Sequence, residues 1–240
     1  YYGTIRTKTD YQFQPPITAW DRIILFKEGG ADWRGREEEQ PFFSVINFTN
    51  THESQIRVPA GKKSNRDLDS ITLPPYYPDT PLVRQTQARY YDCVSVMDLN
   101  IAKILAELEE DGLAEDTIVF FYSDHGSGMP RHKRDLHDSG MHVPLLIRFP
   151  EKWRHLAPTA PGESTDRLVS FVDFAPTVLS LCDIELPDYM QGEPFLGKAS
   201  EDVEPREYVK VYRGPIDMLV SLITIGLWIP WSAEVWSENG

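Results

Sequence analysis

Cysteine, long apolar runs and clustered positive charge are what this sequence has least of. Its 240 residues contain two cysteines, Cys93 and Cys182. Neither has a partner at metal-ligand spacing, so a thiolate metal cluster is excluded and both read as packing residues. The longest apolar stretch, residues 218–231, is interrupted by Ser221, Thr224, Gly226 and Pro230. It falls short of the ~20 residues that a membrane helix needs, so no membrane partner is expected. The first ten residues include Arg6, Thr7, Lys8 and Thr9 and have no apolar run, so they do not read as a signal peptide. No internal repeat or low-complexity tract is present. Lysine and arginine number 24 against 37 aspartates and glutamates, a net charge of -13. That balance argues against a nucleic-acid partner, because such binding rests on matching phosphates with clustered cations. An anionic small substrate stays open, since salt screens an acidic exterior beyond roughly 8 Å from a cationic pocket.

What is present is an ordinary globular composition, 41% hydrophobic and 25% charged, enough for one sizeable core. Residues 42–48 (FFSVINF), 117–122 (TIVFFY) and 143–149 (VPLLIRF) read as strands. Between the first two, Tyr91, Val94, Ile101, Ile104, Leu105 and Leu108 recur at helical spacing within residues 86–110, and Asp111-Gly112 supplies a stop. Residues 173–181 (DFAPTVLSL) predict another helix, with Asp173 as candidate cap and Pro176 in its first turn. Apolar strands alternating with amphipathic helices predict an α/β fold, a largely parallel sheet with helices on both faces. The Pro-rich residues 59–81 read as a surface excursion, and residues 218–236 carry three tryptophans without a clear period.

In an open α/β sheet, ligands gather at the carboxyl ends of strands, where loops present polar groups over a rigid base. His52 follows the first strand, and Asp124 and His125 follow TIVFFY. A carboxylate beside an imidazole can hold a cation. Asp-His-Gly as a bare tripeptide equally fits a solvated turn. The next loop adds Arg131, His132, Lys133 and Arg134. Such cations stabilise a multiply charged oxyanion near a metal, with Arg131 as a substrate contact, although the run alone also fits a solvated basic loop. The first and second strands, if parallel, should bring His52, Asp124, His125 and Lys133 to one edge of the sheet.

Four segments in order then resemble the sulfatase family of the alkaline-phosphatase-like superfamily. Residues 122–150, YSDHGSGMPRHKRDLHDSGMHVPLLIRFP, are similar to its carboxyl-side metal and anion loop, and residues 47–53, NFTNTHE, to the loop presenting an active-site histidine. Residues 76–119 resemble its linker and long helix, and residues 169–195 its later helix and Gly-containing turn. Within the family the nearest look is to heparan N-sulfatase-like and related bacterial glycan sulfatases.

The resemblance implies an α/β alkaline-phosphatase-like fold, incomplete at the amino end, with residues 1–200 a partial catalytic domain and 201–240 a segment departing from the pattern. It implies hydrolysis of a sulfate ester or sulfamate on a sulfated carbohydrate, in the periplasm or outside the cell. Asp124 and His125 match paired metal ligands, Lys133 the cation that contacts the sulfate, and His52 the proton donor to the leaving group. Lys8, in KTDYQF, falls where the family has the lysine of a Gly-Lys-x-His segment, but Asp10 stands at the histidine position. Calcium is the implied metal, and the imidazole of His125 leaves manganese or zinc open. The formylglycine nucleophile comes from a Cys or Ser in a C/S-x-P/A-x-R setting, and neither Cys93 nor Cys182 has it. It is expected ahead of Tyr1, so the 240-residue chain alone is expected to be inactive. An Asp-His pair also occurs in phosphodiester and phosphonate hydrolases of the superfamily, which keeps that chemistry as the alternative, beside a non-catalytic relative.

Overall fold

The computed structural model describes residues 1–6, 16, 18–24, 32–56 and 63–209. Lys8 and the apolar stretch 218–231 lie outside the described residues. Two compact units are formed, one from residues 1–114 and 121–146, the other from residues 115–120 and 147–240.

The first unit is built on a parallel three-stranded sheet in the order β2-β1-β3, with β1 Tyr2–Arg6, β2 Arg22–Ile24 and β3 Phe42–Ile46. β3 was expected from its β-branched and aromatic run, but β1 and β2 were not. β1 reads as polar in sequence, yet it is the central strand. Thr4 is fully buried, and its hydroxyl shares a 2.8 Å hydrogen bond with Ser44 on β3. Arg6 closes its carboxyl end by a two-pronged pair with buried Asp32, whose carboxylate accepts Nε at 3.0 Å. Trp33 stacks on Phe42 at 5.6 Å, and Trp20 on Phe43 at 6.0 Å, so aromatic rings cover the polar-looking strand and its neighbour.

Helix α1, Glu53–Ile56, follows β3 and packs against α2, Pro81–Glu110. α2 starts earlier than its periodicity predicts. Thr80 caps it by accepting Val83 N–H at 3.3 Å, and Pro81, which read as loop, takes the first helical position, where its missing N–H costs nothing. It stops as expected: Gly112 adopts φ +69°, and Leu113 N–H bonds back to Leu108. Residues 63–80, legible as an excursion, are pinned to α2. Arg84 donates to the carbonyls of Leu68 and Ile71 at 2.8 and 3.0 Å and forks onto Asp79, while Arg66 reaches Asp92 at 2.7 Å and Ser95 at 2.8 Å. Cys93 is buried in α2, and burial pushes its thiol pKa up. No helix among the described residues is long and apolar enough to cross a membrane.

Strands β4 (Val119–Tyr122) and β5 (Leu145–Arg148) form a separate two-stranded sheet, with the short helix α3, Asp138–Met141, between them. The second unit centres on α4, Phe174–Leu181, where Phe174 meets Phe171, Phe195 and Phe120 at ring distances of 5.3, 5.8 and 6.3 Å. Asp173 does not cap α4 forward. Its carboxylate reaches back to Ser170 N–H and across to Glu193 N–H, both at 2.9 Å, and takes Arg206 at 2.5 Å. A 3-10 turn, Phe171–Asp173, precedes α4, so the cap position moves back to Ser170.

Asp173 is 2% exposed, and its removal strands three donors. Asp173→Ala should therefore cost about 2–4 kcal/mol of unfolding free energy, the range for breaking a buried pair. An unfolding free energy from urea titration within about 0.5 kcal/mol of the parent, the usual scale of surface changes, would show that the network is dispensable.

Candidate active site

Among the described residues, β3 and β4 stand in different sheets, whereas the sequence reading expects the loops that leave their carboxyl ends to share one sheet edge. They meet directly. Arg134 forks onto Glu53 with two 2.8 Å hydrogen bonds, which joins the residue after Lys133 to the residue after His52. At Gly128 the two backbones touch: a Cβ there would overlap Glu53 Cβ and lie 2.7 Å from Glu53 Cα. Asp124, His125, Lys133, Arg131 and His52 thus stand on two interlocked loops of one unit. Lys8 lies outside the described residues.

The loop leaving β3 is anchored to α2 by Asn100, which donates to Asn50 at 3.2 Å, and by Arg89, which donates to the Gln55 carbonyl at 3.4 Å. His52 sits at the start of α1 in the manner of a cap. Its Nδ1 accepts Ser54 N–H at 3.3 Å and lies 2.8 Å from Ser54 Oγ. A backbone N–H can only donate, so Nδ1 is the acceptor and the neutral ring carries its proton on Nε2.

The loop leaving β4 folds tightly on itself. Gly126 N–H donates to Gly140 at 2.9 Å, and a Cβ at Gly126 would overlap the Ser139 carbonyl oxygen. Lys133 N–H donates to Ser127 at 2.9 Å, Ser139 Oγ to Arg131 at 2.6 Å, and Met129 is buried inside the curl. His125 Nδ1 lies 2.6 Å from the Gly126 carbonyl, which can only accept. Nδ1 is therefore protonated, and Nε2 turns its lone pair toward Asp124 Oδ2, 3.5 Å away. Two acceptors at that separation fit a shared cation, and fixing Nδ1–H on a backbone carbonyl is how metal-binding imidazoles are oriented. Asp124 and His125 therefore suit a divalent metal as a pair. Among the described residues no group of three or more His, Cys, Asp or Glu side chains is placed to hold one.

Arg131 and Arg134 adopt left-handed backbone conformations, φ +66° and +75°. Such strain costs on the order of 1–3 kcal/mol per residue and persists where contacts over-determine it. Here Arg131 lies over the Tyr76 ring at 4.7 Å, and Arg134 is held by Glu53. Tyr76 Oη lies 3.2 Å from His132 Nε2, Tyr77 Oη donates to the Pro130 carbonyl at 2.7 Å, and the Tyr77 ring stacks on His132 at 6.4 Å. Burial holds the His132 pKa below its ordinary value. Tyr76, Tyr77, Glu53 and Arg134 carry no sequence signal for these contacts, beyond the adjacency of Glu53 and Arg134 to the motif residues.

A family model described as Sulfatase matches residues 4–184. An ulvan-active sulfatase of Formosa agariphila is 40% identical over 82% of this chain and 37% of its own length. Human N-sulphoglucosamine sulphohydrolase is 32% identical over 59% of this chain and 27% of its own. An endo-4-O-sulfatase of Bacteroides thetaiotaomicron is 29% identical over 81% and 39%. The chain thus spans between 27% and 39% of these relatives' lengths. A solved Bacteroides thetaiotaomicron structure, from work on the metabolism of multiple glycosaminoglycans, shares the fold at TM-score 0.55 and 24% identity, over 76% of this chain and 40% of that one. A Bacteroides fragilis structure does so at TM-score 0.51 and 21% identity, over 72% and 39%.

Burial, then the neighbouring Tyr76, pushes the Tyr77 phenol up to about 12, with Arg131 opposing. Below the unfolded value near 10 both states are protonated and its contribution is fully present. Between about 10 and 12 the unfolded chain releases the proton first, so stability falls as pH rises. Urea midpoints from pH 9 upward should decline more steeply for the parent than for Tyr77→Phe, and parallel profiles would refute the burial of this phenol.

Proposed function

The chain belongs to the sulfatase family, and from that membership we propose that it serves in the hydrolysis of a sulfate ester or sulfamate on a sulfated carbohydrate. The observation that supports this most is the interlocking of the His52 loop with the Asp124–Lys133 loop through Glu53 and Arg134. It gathers an acceptor pair for a cation, an N–H donor and an ammonium on adjoining segments.

Asp124 and His125 Nε2 would hold a divalent metal, calcium by family resemblance, with manganese or zinc compatible with the imidazole. When bound, such an ion would polarise the sulfate oxygens. Lys133 opposes the charge that builds on those oxygens as water replaces the alcohol or amine at sulfur. Arg131, fixed over Tyr76, contacts the anion or its sugar. His52 directs its Nε2–H as a hydrogen-bond donor at the bridging oxygen or nitrogen as that atom's bond to sulfur breaks, a role that its tautomer suits; transfer of a proton to the departing group would come from its imidazolium form. The family's formylglycine has no counterpart in these 240 residues: Cys93 is buried, and Cys182, half-buried at the end of α4, lacks the motif. A periplasmic or secreted setting belongs to the same proposal.

The test uses the full-length gene product on a sulfated glycan, an aryl sulfate and an aryl phosphodiester. Turnover of the sulfated substrates is expected. Asp124→Ala should lose bound metal by elemental analysis together with activity. Lys133→Ala should keep the metal and lose about 10²–10³ in kcat/KM, the range for removing one oxyanion-stabilising group. Preference for the phosphodiester would replace this reading with the phosphodiesterase one, and unchanged metal content in Asp124→Ala would remove that residue as a ligand.

A further inference from the structure

Glu53 and Arg134 are not among the residues to which family resemblance lends a role, yet each directly follows one that is. We propose that they form a positioning pair, a strut that sets the separation between His52 and Lys133. The inference rests on the reading above that those two residues act on one substrate.

An exposed ion pair between long side chains contributes little to stability, about 0–1 kcal/mol. Four features mark this pair as a geometric device instead. Its contact is bidentate, two 2.8 Å bonds between a planar fork and a carboxylate, which fixes angle as well as distance. The Glu53 side chain is 13% exposed although it opens a surface helix, so it is held rather than solvated. Arg134 keeps a left-handed backbone, φ +75°, to present its guanidinium there. Finally, Gly128 admits Glu53's backbone to a distance that no side chain would allow, so the two loops are closed from a second point.

Among the described residues, β3 and β4 stand in different sheets and no ladder of backbone hydrogen bonds relates these two loops. The strut and the Gly128 contact take over that office. A displacement of about 1 Å between groups that must act together can cost on the order of a hundredfold in rate, which is the scale on which a strut matters.

The experiment compares the full-length gene product with Glu53→Gln, Glu53→Asp, Arg134→Lys, Arg134→Gln and the double variant Glu53→Gln/Arg134→Gln. Positioning requires the fork itself, so Arg134→Lys and Glu53→Asp, which keep the charge, should lose about 10–100-fold in kcat with KM within about twofold. The double variant should lose no more than the worse single one. Rescue by the charge-conserving variants, or losses that multiply in the double, would overturn the proposal. Amide exchange gives a readout independent of turnover. Gln55 N–H, bonded to the His52 carbonyl, and Lys133 N–H, bonded to Ser127, report the two loops separately. Both should exchange at least about tenfold faster in Arg134→Lys, as the loops loosen together. Exchange unchanged at both, or faster only in the loop that carries the substitution, would sink the strut. If the parent hydrolyses no sulfated substrate, the functional reading fails while the exchange data still decide the strut. Should Glu53→Gln not fold, Arg134→Lys carries the test.

Discussion

There is no room for a side chain where the loop after β4 crosses the first residue of α1. Gly128 lies against the backbone of Glu53, and this close approach brings two distant stretches of sequence into register. From that contact the rest follows in order. Glu53 can reach Arg134, Arg134 accepts a strained backbone to meet it, and His52 and Lys133 are carried along as their neighbours. A larger residue at Gly128 would part the loops by more than the reach of a hydrogen bond tolerates, since such bonds weaken steeply outside about 2.7–3.2 Å.

Backbone geometry also decides the chemistry of the two histidines. His52 accepts a backbone N–H at Nδ1, and His125 lies beside a backbone carbonyl at the same atom. One ring therefore presents an N–H at Nε2, and the other a lone pair. On the proposed reading, the same residue type would serve as a hydrogen-bond donor in one loop and as a metal ligand in the next. The surrounding cations are similarly committed: Arg134 to Glu53, and Arg131 to the face of Tyr76. A chain of net charge -13 thus keeps a locally basic loop whose geometry is held by an acid and an aromatic ring.

Much of this was legible in sequence where the signal is local. The α2 periodicity, the Asp111-Gly112 stop and the apolar runs of β3, β4 and β5 each depend on neighbours a few residues away, and each appears with boundaries shifted by a few residues. β1 was not legible, because Thr4 and Arg6 are polar, and Thr4 is buried against Ser44 while half-buried Arg6 is paired with Asp32. Pro81 read as part of the surface excursion because its helical place depends on Thr80 in front of it. Tyr76 and Tyr77 looked like part of a solvated excursion. Their contacts with His132 and Pro130 cross more than fifty positions, and no periodicity encodes that. The candidate loops were singled out by their motif, while the contacts that hold them in place were not legible.

The division of labour between the units carries the argument one step further. Every described residue with a proposed chemical role lies in residues 1–114 or 121–146, while the buried network in the other unit, Asp173 with Ser170, Glu193 and Arg206, satisfies its own donors and acceptors. On the proposed reading, Asp124 and His125 of the first unit would offer a cation two ligands, whereas calcium takes roughly six to eight. Tight binding therefore needs further oxygens from outside the described residues or from substrate and water. What this unit contributes is orientation. The Gly126 carbonyl aims the His125 ring, and the Gly126–Gly140 contact holds the loop that carries Asp124. The entropy of ordering that half of the site is thus met by the fold itself, before any ion or sulfate arrives.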